Sequence, residues 1–254
     1  MTPQRQSELL EAANLLLDAR RALTPIDDLP PALRPTSDEE IFFIQDRLTD
    51  AFGPIGGWKI GAPSLEATPN FAPLPAAWIA PSGAILAGHR FYGLESEIAF
   101  LLARDLPPRT QPYTSEEVYA AVASAHPVIE VIESALTDPT LPTVRLSKDA
   151  DLQMHGGLIY GPAIPDWQSI NFHTEHVTIA VDGAIRVDAI GSNTSGDLLR
   201  LLPWLANHAA SRTGGLHAGQ WIITGSWTGC TTADAGSAVE THFSNAGQVV
   251  LRFK

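Results

Sequence analysis

The sequence predicts an α+β protein, with a helical section over residues 1–55 followed by a β-rich core over 56–254 that works as one functional unit. Three observations predict it. Apolar residues recur at helical spacing near the N-terminus, at Leu9, Leu10, Ala13, Leu16 and Leu17. After about residue 55 the chain breaks into short apolar runs punctuated by Gly, Pro and Asn. Those runs mostly follow one another directly instead of alternating with helices, which favours an antiparallel-rich or mixed β architecture.

Taken in order, "SELLEAANLLLDARRAL" is the first helix, and the proline-rich "TPIDDLPPALRP" ends it. A second helix opens at "SDEE", where Ser37 and Glu40 have capping-box spacing, and buries Ile41, Ile44, Leu48 and Phe52. Strands are expected in "GWKIGA", "ESEIAFLLA", "VIEVIES", "GGLIYGPAI", "WIITGSW" and two hairpins. The first hairpin turns at Asp182-Gly183 and the second at Asn245-Ala246-Gly247. Two helices interrupt them. "TSEEVYAAVASA" starts with Thr114 and Glu117 at capping-box spacing, and Pro203 bends or shortens "SGDLLRLLPWLANHAA".

Composition narrows the function. The 254 residues are 44% hydrophobic and only 17% charged, enough for a sizeable core and unlike a disordered chain. A net charge of −12 argues against nucleic acid and against an anionic membrane surface as partners. Cys230 is the only cysteine, so no internal disulfide forms, which fits a reducing compartment. "MTPQRQSELL" lacks the pattern of a signal peptide, and no apolar run is long enough to span a bilayer. The expectation is a soluble, cytoplasmic protein. Neither GxSxG, a P-loop nor GxGxxG occurs, so a serine triad and nucleotide binding drop in rank.

The chemistry gathers on acids in apolar strands. In "LESEIAF", alternation puts Glu95 and Glu97 on one face and Leu94, Ser96, Ile98 and Phe100 on the other. A strand with one wet face explains that spacing; so does a hard divalent cation taking carboxylate oxygens. "PVIEVIES" adds Glu130, flanked by apolar neighbours on its own face, while Glu133 points the other way, toward a rim or solvent. Lys59, bracketed by Gly57 and Gly61, is either an edge-strand surface lysine or a buried proton shuttle. His155 precedes a Gly-Gly strand and is a candidate for proton transfer, although most such histidines are structural. His173, His176, His208 and His217 lack ligand spacing, and Cys230 reads as a small buried apolar residue.

Together these segments resemble the fumarylacetoacetate hydrolase superfamily, in its 2-keto-4-pentenoate hydratase branch. The likeness runs through "GWKIGAPS", "NFAPL", "ESEIAFLLARDLP", "PVIEVIES", "WLAN", "AGQWIITGSWTG" and "GQVVLRF", nearly the whole chain. It implies a mixed β-roll core behind the helical section, assembled as a homo-oligomer. It implies one magnesium or manganese ion on Glu95, Glu97 and Glu130. It also implies Lys59, Asp151 and His155 as catalytic residues, and a pocket for a small 2-oxo acid that includes Phe71, Leu74, Thr224, Gly225 and Ser226. The implied reaction is hydration of a 2-hydroxy-2,4-dienoate in the catabolism of aromatic compounds. Departures from the branch pattern stand at Asn70 and Leu152, and at Gly236 and Ser237. They keep open a decarboxylase of a 2-oxo-3-enedioate, an acylpyruvate hydrolase, or an oxo-acid binder with little turnover.

Overall fold

The computed structural model describes the backbone of residues 1–254 and every side chain except those of residues 210 and 211. Helix α1 (Pro3–Ala22) is capped by Thr2, whose hydroxyl accepts from the Arg5 amide. Helix α2 (Asp38–Phe52) is capped by Ser37 accepting from the Glu40 amide, but the Glu40 carboxylate turns to Arg5 and Thr36, so only half of the expected box forms. The helices pack through Leu9, Leu16, Ile41, Ile44 and Leu48, and the same cluster takes in Ala135, Leu136, Ala150 and Leu152 from the β-rich part. Leu10, read as part of the stripe, is exposed.

The core begins with β1 (Ile55–Gly61), β2 (Asn70–Pro75), β3 (Ile79–Pro81), β4 (Ala84–Leu86) and β5 (Gly93–Leu102). Helix α3 (Ser115–Tyr119) leads into β6 (Val122–Ile132), and α4 (Arg145–Ala150) into β7 (His155–Tyr160). Then come β8 (His176–Val181), β9 (Ala184–Ile190), α5 (Leu201–Thr213), β10 (Trp221–Ile223), β11 (Thr231–Thr232), β12 (Ala238–Phe243) and β13 (Gly247–Phe253).

The larger sheet runs β2-β1-β10-β5-β6-β7-β3, with β11 paired to β5. Its pairings are antiparallel except for β1/β10 and β3/β7. The strands at its two ends, β2 and β3, are joined only by Ala76–Trp78, so the sheet curls until its ends meet. This is the mixed β-roll that the resemblance implied. The smaller sheet, β4-β13-β12-β8-β9, packs on it through Ile179, Val239, Val249 and Leu251 against Leu94, Ile129, Val131 and Ile159. On the opposite face of the large sheet, inside the roll, Leu74, Ala99, Val128, Leu158 and Ile223 make a separate apolar patch.

Local details explain where the sequence reading needs adjustment. The Thr114–Glu117 capping box is present, yet α3 stops at Tyr119, because Val122–Ala125 pair with the end of β5. Cross-strand pairing overrides the helical character of "AAVASA". Helix α5 starts at Leu201, which leaves Pro203 in the first turn, where its missing N–H breaks no hydrogen bond. Asp182 and Gly183 are both left-handed, as the two-residue hairpin requires, whereas the second hairpin turns one residue early, over residues 244–246. Gly57 serves strand packing, not a ligand: a Cβ there would lie 2.3 Å from the Trp221 carbonyl oxygen.

Candidate metal centre

Strand register gathers the acids. Antiparallel pairing of β5 and β6 sets Glu95 directly opposite Glu130, with Glu97 opposite Val128. Alternation then turns all three side chains into the roll, while Leu94, Ile98 and Phe100 enter cores on the far face. One oxygen from each carboxylate lies within 4.8 Å of the others. Lys59 stands on the same face, in the row that β10 builds between β1 and β5 through the pairs Lys59–Ile223 and Ile223–Ala99.

Lys59 Nζ donates to both Glu130 oxygens, at 2.7 and 3.0 Å, and to the Gln153 carbonyl at 3.1 Å. The His155 ring approaches Glu130 Oε1 at 2.8 Å through Nδ1, which must donate because a carboxylate only accepts. That leaves Nε2 as an acceptor; it is buried and has no partner among the described residues. Glu97 Oε2 accepts from the Gly225 amide at 2.8 Å, and Gly225 has φ +92, a conformation that favours glycine. Glu95 has no hydrogen-bond partner among the described residues.

Three carboxylates and one ammonium leave a formal charge of −2 in a largely dry pocket, Glu130 being fully buried and the Lys59 side chain 16% exposed. Burial, reinforced by the Glu130 charge, pushes the Glu97 carboxyl well above the usual range and that of Glu95 up to about 7. Burial acts on Glu130 in the same direction, but the Lys59 ammonium and the His155 hydrogen bond outweigh it and bring the group down to about 2. For Lys59 burial opposes the charge, yet the three glutamates more than offset it, so it stays an ammonium. Burial keeps His155 neutral.

This donor set fits a divalent cation. Its charge matches one dication, its donors are the hard oxygens such ions prefer, and the 4.8 Å spread approaches the roughly 4.2 Å between opposite ligands at about 2.1 Å from a magnesium ion.

The remaining predicted residues scatter. The Asp151 carboxylate faces Arg20 Nε (2.5 Å), Ser134 Oγ (3.0 Å) and the Ala135 amide (2.7 Å), away from the acid cluster. Phe71 lies on the far face of β2 from Lys59, against Phe42, Trp58 and Trp204. It lines a cavity of about 580 Å³ between α2, β2 and α5, to which Gln153 also contributes. Leu74 is fully buried inside the roll. Thr224 Oγ1 donates to the Ile98 carbonyl, and the Ser226 hydroxyl is buried with no partner among the described residues. Glu133 is no rim residue: it is buried and accepts from the amides of Arg90, Phe91 and Ser134. Cys230 is exposed, not buried.

Two contributors escaped the sequence reading, the Gln153 carbonyl and Arg20. Gln153 leaves no trace in sequence because it acts through its backbone. Arg20 did leave one, since it continues the buried series Leu9, Ala13, Leu16 at helical spacing, where a charge needs a buried partner.

Comparison with known proteins agrees with this architecture. The family described as fumarylacetoacetate (FAA) hydrolase C-terminal matches residues 62–254. A 2-hydroxyhexa-2,4-dienoate hydratase of Comamonas testosteroni is 26% identical over 93% of this chain and 93% of its own. A 2-keto-4-pentenoate hydratase of Paraburkholderia xenovorans is 24% identical over 100% of this chain and 97% of its own. Among solved structures, the 4-oxalocrotonate decarboxylase of Pseudomonas putida G7, complexed with calcium and acetate, superposes with a TM-score of 0.84 at 22% identity. It covers 100% of this chain and 99% of that one. The same decarboxylase complexed with magnesium and adipate gives 0.83.

Proposed function

The chain belongs to the fumarylacetoacetate hydrolase family, and from that premise we propose that it hydrates a 2-hydroxy-2,4-dienoate to a 4-hydroxy-2-oxo acid, with a magnesium or manganese ion on Glu95, Glu97 and Glu130. One observation carries the reading: the Lys59 ammonium nitrogen, 2.7 Å from Glu130 Oε1, and three clustered carboxylates share one interior face of the roll. Relatives named as dienoate hydratases support it.

When bound, the ion supplies Lewis-acid stabilisation of negative charge on the substrate's 2-oxygen. Lys59 is the proton donor. Its ammonium lies on the site face and delivers a proton to C5 of the dienol as the 2-hydroxyl gives up its own, which restores the ammonium and leaves the 2-oxo-3-ene; water then adds its hydroxide at C4, and its remaining proton is passed to C3. His155 and the Gly225 amide hold Glu130 and Glu97 in place, so the carboxylates need not reorganise during the reaction. His155 is the candidate for taking a proton from the attacking water, through the Nε2 that its hydrogen bond to Glu130 leaves as an acceptor. Asp151 acts on this site only through Arg20. The Ser226 hydroxyl and the Gly225 turn contact the substrate's carboxylate end. Leu74 shapes the floor, while Phe71, on the far face of β2, reaches the site only by way of Gln153, which lines the same cavity. A cytoplasmic homo-oligomer is part of the same reading.

The test follows loss of dienol absorbance from 2-hydroxypenta-2,4-dienoate with and without magnesium, and identifies the product by NMR. Formation of the 4-hydroxy-2-oxo acid is expected; no turnover across several tail lengths overturns the reading. Decarboxylation of a 2-oxo-3-enedioate, or hydrolysis of an acylpyruvate, is the second reading, favoured by the changes at Asn70 and Leu152. Release of carbon dioxide from a diacid faster than hydration of a monoacid would reverse the order.

A further inference from the structure

Between α4 and β7 the chain makes a turn that its residue types do not favour. Leu152, Gln153 and Met154 are all left-handed, with φ of 51°, 51° and 66°, and none is glycine. Each such residue costs roughly 1–2 kcal/mol, so a run of three persists only where the surroundings hold it. The turn closes on itself through the Met154 amide and the Asp151 carbonyl (3.0 Å), and the Met154 carbonyl accepts from the Glu133 amide (2.9 Å).

What holds it comes from the other end of the chain. Arg20, in the last turn of α1, is buried and places three of its nitrogens around the turn. Nε donates to Asp151 Oδ1 (2.5 Å), Nη1 to the His155 carbonyl (2.9 Å), and Nη2 to the carbonyls of Asp151 (2.9 Å) and Glu133 (3.1 Å). Its acceptors therefore lie immediately before and after the turn and on the neighbouring strand end. A planar guanidinium can reach four acceptors in this arrangement; a lysine ammonium, with a single nitrogen, cannot. Two contacts of the metal centre hang from the clamped segment: the Gln153 carbonyl on Lys59, and the His155 ring on Glu130.

We propose that Arg20 is a positioning residue of the active site, clamping the left-handed turn Leu152–Met154 so that the Gln153 carbonyl faces Lys59 and the His155 ring faces Glu130. The proposal rests on the reading of Lys59 as the proton donor. It gives the helical section a part in the chemistry of the roll although none of its described residues hydrogen-bonds to the acids.

Arg20→Ala alone would strand Asp151, so the test uses the double variant Arg20→Met/Asp151→Asn, which removes both charges, beside Arg20→Lys. Folding is checked by circular dichroism and thermal melting. Two readouts follow. The first is pulse acetylation of Lys59 relative to Lys148 and Lys254, the chain's other lysines, by peptide mass spectrometry. The second is kcat, KM and magnesium Kd on a dienoate.

In the folded double variant, Lys59 labelling should rise several-fold and kcat should fall about 10- to 100-fold, with KM and magnesium Kd within about three-fold. Adding Gln153→Gly, which keeps the carbonyl and makes the left-handed turn easy, should recover part of kcat. Labelling and kcat within about two-fold of the parent protein, in a folded variant, overturn the proposal. So does an equal loss in kcat, KM and magnesium binding, which marks general damage. If the parent protein turns over no dienoate, the proposed function fails separately, and the labelling still decides the clamp.

Discussion

The Lys59–Glu130 and Arg20–Asp151 ion pairs are both buried in the same part of the fold, and they are finished in different ways. Around Arg20 and Asp151, the three guanidinium nitrogens and both carboxylate oxygens that make contacts find partners within the protein. Around Lys59 and Glu130 the charges do not balance, because Glu95 and Glu97 add two carboxylates and, among the described residues, only one hydrogen bond, from the Gly225 amide. A saturated pair holds a shape; an unsaturated one is a demand for something from outside. Burial and charge alone therefore do not distinguish support from site. The count of unmet lone pairs does.

The sharpest way to break that contrast is to remove one acid from each place. Glu97→Gln should weaken magnesium binding by about a hundred-fold or more and cut turnover about a thousand-fold, or ~4 kcal/mol, while making the metal-free protein slightly more stable. Calorimetric titration and a thermal melt measure the two halves; unchanged metal binding would remove Glu97 from the centre. Asp151→Ala should do the reverse. It should leave the acid cluster's composition intact but cost about 3–5 kcal/mol of stability by stranding Arg20, read from denaturant unfolding. A cost no larger than that of an ordinary surface change would mean the pair is not the support described.

Proton linkage separates the two regions more gently. The folded-state carboxyl of Glu95 is raised to about 7, so its contribution to stability is fully present below the unfolded value near 4.5 and is lost as pH rises through about 7. Glu97 acts in the same direction. The metal-free protein should therefore melt several degrees lower at pH 8 than at pH 5, and saturating magnesium should close the gap while releasing protons near pH 6. A melt that stays flat across this window without metal contradicts the raised carboxyls. The smallest effect is expected at the orphaned hydroxyl of Ser226. Ser226→Ala should change stability by less than about 1 kcal/mol, since no bond is lost, but should raise KM a few-fold if the hydroxyl meets the substrate.

How much of this could be read in advance follows from how each residue acts. Glu95, Glu97 and Glu130 were legible because strand alternation fixes a side chain's face, and an acid among apolar neighbours on one face needs a reason. Lys59 was legible as a candidate, although sequence could not choose between an edge and an interior position. The roll was legible only through family resemblance: β2 carries Pro73 and Pro75, which hide a strand from periodicity yet suit its place at the end of the sheet order. The turn at Leu152–Met154 was not legible at all, because three ordinary residues adopt a glycine-like conformation under tertiary restraint. Asp151 sits beside the site in sequence and turns away from it in space, so nearness along the chain misled.

The order of strands in the roll also sets when the site comes into being. β10 lies between β1 and β5, but it is encoded long after both. While the chain is being synthesised, the lysine strand and the glutamate strand wait without the partner that joins them, and their apolar edges are open to wrong pairing. Closure depends on contacts distant in sequence, which predicts slow, late maturation and a need for protection of the nascent chain. A chain stalled before residue 221 would therefore hold six strands of the large sheet as two unjoined pieces, β2-β1 and β5-β6-β7-β3, with Lys59 and the glutamates on different pieces.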